Sequence, residues 1–129
     1  MSQKRARILF GITDLFFVGR VEAVLKALPD VEAIWARPWD SLLSLYRENR
    51  PGMVILDLED RHLEPIQSAF QIRKEMDSDG FSGELIGFYS HVRLEVRREA
   101  EAAGVQRILP RSAFTKLLSE ILGVGAGEA

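Results

Sequence analysis

Short apolar runs alternate along this chain with longer stretches in which apolar residues recur at helical spacing. Five such runs stand out, at residues 7–12, 31–36, 53–56, 85–89 and 107–109. A continuous apolar run is typical of a strand that is buried on both faces, and apolar residues three and four positions apart predict an amphipathic helix. Strands that alternate with helices favour an α/β fold with a parallel sheet.

The length of the chain narrows this fold class further. At 129 residues, a doubly wound five-stranded parallel sheet of flavodoxin-like order 2-1-3-4-5, with helices on both faces, is the natural arrangement. The chain is long enough to bury a core without disulfides or a structural metal. We therefore predict one domain with a core at about residues 7–122 and a flexible tail at 123–129. The last of five predicted helices contains Phe114 and Leu118, with Ser112 as its candidate N-cap.

Composition excludes several classes of function. Seventeen basic and nineteen acidic residues give a net charge of −2, so there is no basic surplus for a dedicated nucleic-acid binder. The chain has no cysteine and two histidines, which excludes disulfide scaffolds, thiolate zinc sites and cysteine nucleophiles. No apolar run reaches the ~20 residues of a membrane span, and the N-terminus lacks the pattern of a signal peptide. We expect a cytoplasmic protein without nucleic-acid or membrane partners.

Polar residues stand where four of the predicted strands end. In order along the chain these are Thr13-Asp14, Asp57, Ser90-His91 and Pro110-Arg111. In doubly wound sheets ligands bind outside the carboxyl ends of the strands, so these side chains should converge on one patch. Two neighbouring carboxylates repel each other, and a cation such as Mg²⁺ favours their ionised forms. A carboxylate can also attack a phosphoryl group and form an aspartyl-phosphate.

At these positions the sequence resembles the receiver domain of two-component response regulators. The resemblance extends over about residues 7–122. It implies that Asp57 is the phospho-acceptor, and that Asp14 is the second acid of the family's acidic pair. It also implies that Ser90 matches the family's Thr or Ser, and that Arg111 matches its Lys. The backbone carbonyl of Glu59 matches the third protein ligand of the metal, so the implied Mg²⁺ site consists of Asp14, Asp57 and Glu59.

The chain departs from the family pattern at several of these positions. Thr13 replaces the first acid, Arg111 replaces Lys, and Ile108 stands where an aromatic switch residue is common. His91 occupies a position that a small residue usually takes. Arginine is a fork-shaped donor that is not interchangeable with lysine. We therefore expect weak Mg²⁺ binding and an Arg111 guanidinium that points towards Asp57 or Asp14.

Three functions remain in competition. The first is a phosphorelay receiver in which Asp57 accepts phosphate from a histidine kinase or a phosphotransfer protein. It would signal by protein contact, through the face of the fourth and fifth helices, and its only catalysis would be Mg²⁺-dependent phosphorylation and dephosphorylation of its own aspartate. The second is a degenerate receiver, an interaction module that an Arg111–Asp57 contact locks without phosphate. The third is a flavodoxin-like enzyme or nucleotide binder, and the acidic, apolar loop at residues 13–17 argues against it.

Overall fold

A five-stranded parallel sheet forms the centre of the computed structural model, which describes residues 6–80, 83–90 and 93–125. Its strands are β1 (Ala6–Gly11), β2 (Val31–Trp35), β3 (Met53–Asp57), β4 (Glu84–Tyr89) and β5 (Arg107–Pro110). They lie in the order β2-β1-β3-β4-β5, and every neighbouring pair is parallel. The predicted α/β fold and strand order are confirmed.

Helices connect the strands and cover both faces of the sheet. They are α1 (Leu15–Leu25), α2 (Leu42–Asn49), α3 (Pro65–Ser78), α4 (Leu94–Ala102), α5 (Arg111–Lys116) and α6 (Leu118–Gly125). No helix in the described ranges is long and apolar enough to cross a membrane.

The C-terminal helical region differs from the prediction of a single helix capped by Ser112. Leu117 has φ −96° and ψ 6°, which separates α5 from α6. The N-cap position is Pro110, with extended φ −63° and ψ 149°, so Ser112 lies inside α5 and its predicted capping role is wrong. Because β5 passes into α5 without a loop, no space remains for a cap at Ser112. Helix α6 continues to Gly125, beyond the predicted start of the tail, and residues 126–129 lie outside the described part.

Strand side chains alternate between two apolar layers. On β3, Met53 and Ile55 face the layer with α1, α5 and α6, whereas Val54 and Leu56 face the layer with α2, α3 and α4. All five residues of β3 are buried. Both faces of the central strands are therefore covered, which is why they appear in the sequence as continuous apolar runs.

Strand register brings the carboxyl ends of the central strands to one edge. Asp57 is opposite Phe88, and Tyr89 is opposite Pro110. Gly87 on β4 lies beneath the loop that follows Asp57: a Cβ at this position would be 2.9 Å from side-chain atoms of Leu58. The glycine therefore lets Leu58 pack closely on the sheet, and this contact fixes the path of the chain as it leaves Asp57.

Candidate functional site

A cavity of about 310 Å³ opens at the carboxyl ends of β1 and β3. Its lining residues are Thr13, Asp14, Asp57, Glu59, Asp60, Arg61 and His62. Asp14 and Asp57 thus share one cavity, as the strand-end argument predicts. Asp60 is not among the predicted site residues.

Asp57 is the most buried of the predicted site residues, with 6% of its surface exposed. Its Oδ1 accepts a hydrogen bond of 3.0 Å from the backbone N–H of Glu59, and its Oδ2 lies 3.6 Å from Nη2 of Arg111. Burial raises the pKa of the Asp57 carboxyl, because the charged form loses hydration, and the Glu59 N–H and the Arg111 charge oppose this shift. The nearby charges of Asp60 and Glu59 add to the rise. The ionised carboxylate therefore depends on its cationic neighbour.

Arg111 lies between the two acids. Its Nη1 is 3.6 Å from Oδ2 of Asp14, and its Nη2 is 3.6 Å from Oδ2 of Asp57. The guanidinium carbon lies 4.7 Å from the ring centroid of Phe17 and 5.5 Å from that of Phe88. Aromatic faces attract a guanidinium, so these rings hold the cation in place while it faces both carboxylates. The predicted orientation of Arg111 is confirmed.

Asp14 has two separate tasks at the start of α1. Its Oδ1 accepts a hydrogen bond of 3.0 Å from the N–H of Phe16 and so caps the helix, and its Oδ2 faces Arg111. The side chain of Asp14 is 44% exposed. Asp14 is therefore the solvent-facing acid of the pair and Asp57 the buried one.

Asp60 ties the loop after β1 to the loop after β3. Its Oδ2 accepts hydrogen bonds from the N–H of Thr13 at 2.9 Å and from the Thr13 hydroxyl at 2.6 Å, and its Oδ1 accepts one from the N–H of His62 at 3.0 Å. Only 7% of Asp60 is exposed. An aspartate that binds the N–H two residues on is a common loop feature. The Thr13 contact spans 47 positions, so no local pattern could have revealed it.

Ser90 contacts the site through its backbone N–H. Its N–H donates to Oε1 of Glu59 at 2.6 Å, which links the ends of β3 and β4. The predicted contact of the Ser90 hydroxyl with a phosphoryl oxygen stays a prediction, as does the role of the Glu59 carbonyl. His91 lies outside the described residues.

The carboxylate oxygens of Asp14 and Asp57 are of the type that Mg²⁺ prefers, so the donor chemistry fits the expected ion. In the present arrangement, however, Arg111 is within 3.6 Å of both carboxylates. The described residues contain no group of three or more His, Cys, Asp or Glu side chains placed to hold a metal ion. A divalent ion would compete with a guanidinium for the same two acids.

Several solved structures that are similar to this chain are response regulators or their receiver domains. The response regulator domain of CheB from Thermotoga maritima superposes with a TM-score of 0.72 at 17% identity, over 94% of this chain and 93% of that one. The Mn²⁺-bound form of response regulator Rcp1 has a TM-score of 0.74 at 18% identity, over 96% of each chain. This chain has the receiver-domain fold. No family model and no curated protein matches the sequence.

A third receiver structure bears on the chemistry of this fold. The phosphorylated cyanobacterial phytochrome response regulator RcpA has a TM-score of 0.75 at 10% identity, over 97% of this chain and 96% of that one. One similar structure thus holds a divalent metal and another is phosphorylated. Because the identities are low, these similarities establish the fold of this chain and leave its chemistry to the residues described above.

Proposed function

We propose that this protein is a receiver-type signalling module in which Asp57 accepts a phosphoryl group from a histidine kinase or a phosphotransfer protein. The observation that carries the proposal is the position of Asp57. Its buried carboxylate lies at the end of the central strand and lines an open cavity, and its Oδ2 is 3.6 Å from the Arg111 guanidinium. A strand-end carboxylate next to a fixed cation is suited to accept an anionic group, because the transfer depends mainly on positioning and charge neutralisation.

The transfer uses Asp57 as the nucleophile. An Asp57 oxygen forms a bond to phosphorus as the phosphorus–nitrogen bond of the donor phosphohistidine breaks, and the electron pair of that bond stays on the imidazole. Arg111 supplies positive charge to the developing phosphoryl oxygens, and it can donate two parallel hydrogen bonds to them. Mg²⁺ held by Asp14, Asp57 and the Glu59 carbonyl would add charge neutralisation. Because Arg111 already faces both acids, we propose that this binding is weak.

The proposed role is regulatory, and it includes no reaction on an external substrate. The only chemistry is phosphorylation and dephosphorylation of the protein's own aspartate. The signal would pass by contact to a protein partner through the face of the helices around β5, and the phosphorelay would act in the cytoplasm.

Phosphorylation can be tested with a small donor. The protein is incubated with phosphoramidate, with and without Mg²⁺, and its intact mass is measured. We expect one labile phosphoryl adduct in the wild-type protein and none in Asp57→Asn, which keeps the size of the side chain and removes the nucleophile. If neither small donors nor a panel of purified histidine kinases yields an adduct, the proposed acceptor function is wrong.

One observation favours a second function, a phosphorylation-independent interaction module. The Arg111 guanidinium bridges Asp14 and Asp57, so a single protein side chain can hold the site in one state. Binding of beryllofluoride together with Mg²⁺ distinguishes the two functions. Chemical-shift changes around Asp57 support the acceptor, and an unchanged spectrum at saturating concentrations supports the module.

A further inference from the structure

The loop that carries Asp14 and the loop that follows Asp57 are joined through one buried carboxylate. We propose that Asp60 is a positioning residue, which holds the acids on either side of Arg111 in the geometry that phosphoryl transfer requires. This inference rests on the proposed acceptor function of Asp57.

Asp60 contacts both the loop that carries Asp14 and the loop that follows Asp57. It lies three residues after Asp57 in the chain, and its partner Thr13 immediately precedes Asp14. Two hydrogen bonds to Thr13, at 2.9 and 2.6 Å, therefore set the distance between the segments that carry the two acids. Each acid has one oxygen 3.6 Å from Arg111. A shift of either loop would change these distances directly.

The hydrogen bonds of Asp60 require a carboxylate. Its three hydrogen bonds all use it as an acceptor, two at Oδ2 and one at Oδ1. An asparagine has one oxygen and one donor group, so in either orientation its NH2 faces a backbone N–H, of His62 or of Thr13, and that hydrogen bond is lost. The Thr13 hydroxyl can adapt, because it can accept a hydrogen bond as well as donate one. Since only 7% of Asp60 is exposed, water cannot readily replace the lost partner.

The surroundings of Asp60 show that its hydrogen bonds are its main stabilising contacts. Among the described residues no Lys or Arg forms an ion pair with Asp60, and its buried carboxylate accepts three hydrogen bonds from Thr13 and His62. The two loops are therefore held together by these bonds.

The test combines a kinetic and a spectroscopic measurement on Asp60→Asn and on a matched pair at Thr13. Thr13→Val is isosteric and removes the hydroxyl donor, whereas Thr13→Ser keeps it. The rate of Asp57 phosphorylation is measured over a range of phosphoramidate concentrations. Independently, NMR measures the exchange of the Arg111 Nε–H with solvent, since this nitrogen is buried and has no hydrogen-bond partner among the described residues. Urea unfolding verifies that each variant is folded.

We expect Asp60→Asn to lower the rate at saturating donor by roughly ten- to a hundredfold, because small displacements of reacting groups have effects of this size. The apparent KM for the donor should change less than this rate, since both oxygens of Asp60 already accept hydrogen bonds from Thr13 and His62. Thr13→Val should be slower than wild type and Thr13→Ser equal to it, and Nε–H exchange should accelerate in Asp60→Asn.

Wild-type rates and wild-type exchange in both Asp60→Asn and Thr13→Val would overturn the positioning role while leaving the acceptor function intact. If Asp60→Asn does not fold, the phosphorylation rates of Thr13→Val and Thr13→Ser are compared instead. Equal rates in these two variants would then overturn the positioning role. If the wild-type protein is not phosphorylated at all, the acceptor function fails, and Asp60 then has no transfer to position. Nε–H exchange would in that case show only whether Asp60 holds the Arg111 bridge.

Discussion

Replacing Arg111 by methionine would remove the cation between Asp14 and Asp57 and keep an unbranched apolar side chain against Phe17 and Phe88. At the observed 3.6 Å, the Coulomb attraction is about 4–5 kcal/mol per pair for an effective dielectric constant of about 20. The net loss of stability on removing Arg111 is smaller than this attraction. Each pair is still partly hydrated, and the charges lost part of their hydration when the protein folded.

The Arg111–Asp14 and Arg111–Asp57 ion pairs contribute unequally to the free energy of unfolding. The Asp14 side chain is 44% exposed, so its pair contributes about 0–1 kcal/mol after screening. The Asp57 side chain is 8% exposed and that of Arg111 is 32% exposed, so breaking this partly buried pair costs less than the roughly 3–5 kcal/mol of a fully buried one. Asp57 can instead take up a proton, and protonating an ordinary carboxyl at pH 7 costs about 4 kcal/mol, which limits the loss. We expect Arg111→Met to lower the free energy of unfolding by about 2–4 kcal/mol at pH 7.

The pH dependence of this loss follows from the Asp57 carboxyl. Without Arg111, the pKa of Asp57 in the folded protein rises further above its ordinary value, because only the opposing charge is removed. The loss of unfolding free energy in Arg111→Met is therefore largest above the pKa that Asp57 has in the variant. It declines as the pH falls through that pKa. Below the wild-type pKa, Asp57 is neutral in both proteins, and only the contribution of Asp14 and of the aromatic contacts remains.

Urea unfolding followed by far-UV circular dichroism measures the loss at pH 7 and at about pH 4, where unperturbed aspartates titrate. The same substitution in an Asp57→Asn background is the control, since the main partner is then absent and the loss should be much smaller. A loss that is equal in both backgrounds, or independent of pH, would show that Arg111 stabilises the fold through its aromatic contacts alone.

Three further predictions concern neighbouring positions. Because burial raises the pKa of Asp57, its ionised form costs stability at neutral pH. Asp57→Asn should therefore raise the urea midpoint at pH 7, with a gain that vanishes below about pH 4, and an unchanged midpoint at pH 7 would refute this. Thr13→Asp should tighten Mg²⁺ binding roughly tenfold in titration calorimetry and destabilise the metal-free protein, since it places a second carboxylate beside Asp60; equal affinities would show that residue 13 does not act on the ion. Gly87→Ala brings a Cβ within 2.9 Å of Leu58 and should lower the free energy of unfolding by about 1–3 kcal/mol, whereas an unaltered thermal midpoint would mean that Leu58 moves aside freely.

Burial explains why the fold could be inferred from the sequence. The central strands are covered on both faces, so the segments around Leu9, Ile55 and Ile86 had to be continuously apolar. Parallel strands end at the same edge of the sheet, so the sequence alone predicts that Asp14, Asp57 and Arg111 lie at one site. Only the backbone periodicity and the direction of the strands are needed for this inference.

Local sequence patterns predicted the helix boundaries less well where a strand passes directly into a helix. Ser112 has the chemistry of an N-cap, but β5 passes directly into α5 at Pro110, which leaves Ser112 inside the helix. The break at Leu117 lies within an apolar pattern that suits one continuous helix. Phe114 before the break and Leu118 after it are both buried in the same apolar layer, so the apolar pattern alone does not reveal the break.

The electrostatics of the site was decided by tertiary structure. The bonds of Asp60 to Thr13 and of Glu59 to Ser90 join residues 47 and 31 positions apart, and the placement of Arg111 equally near to Asp14 and Asp57 depends on the rings beneath it. Each contact requires two loops to leave neighbouring strands at particular angles. Periodicity and composition determine which residues reach this edge, whereas the loop paths determine which of them touch.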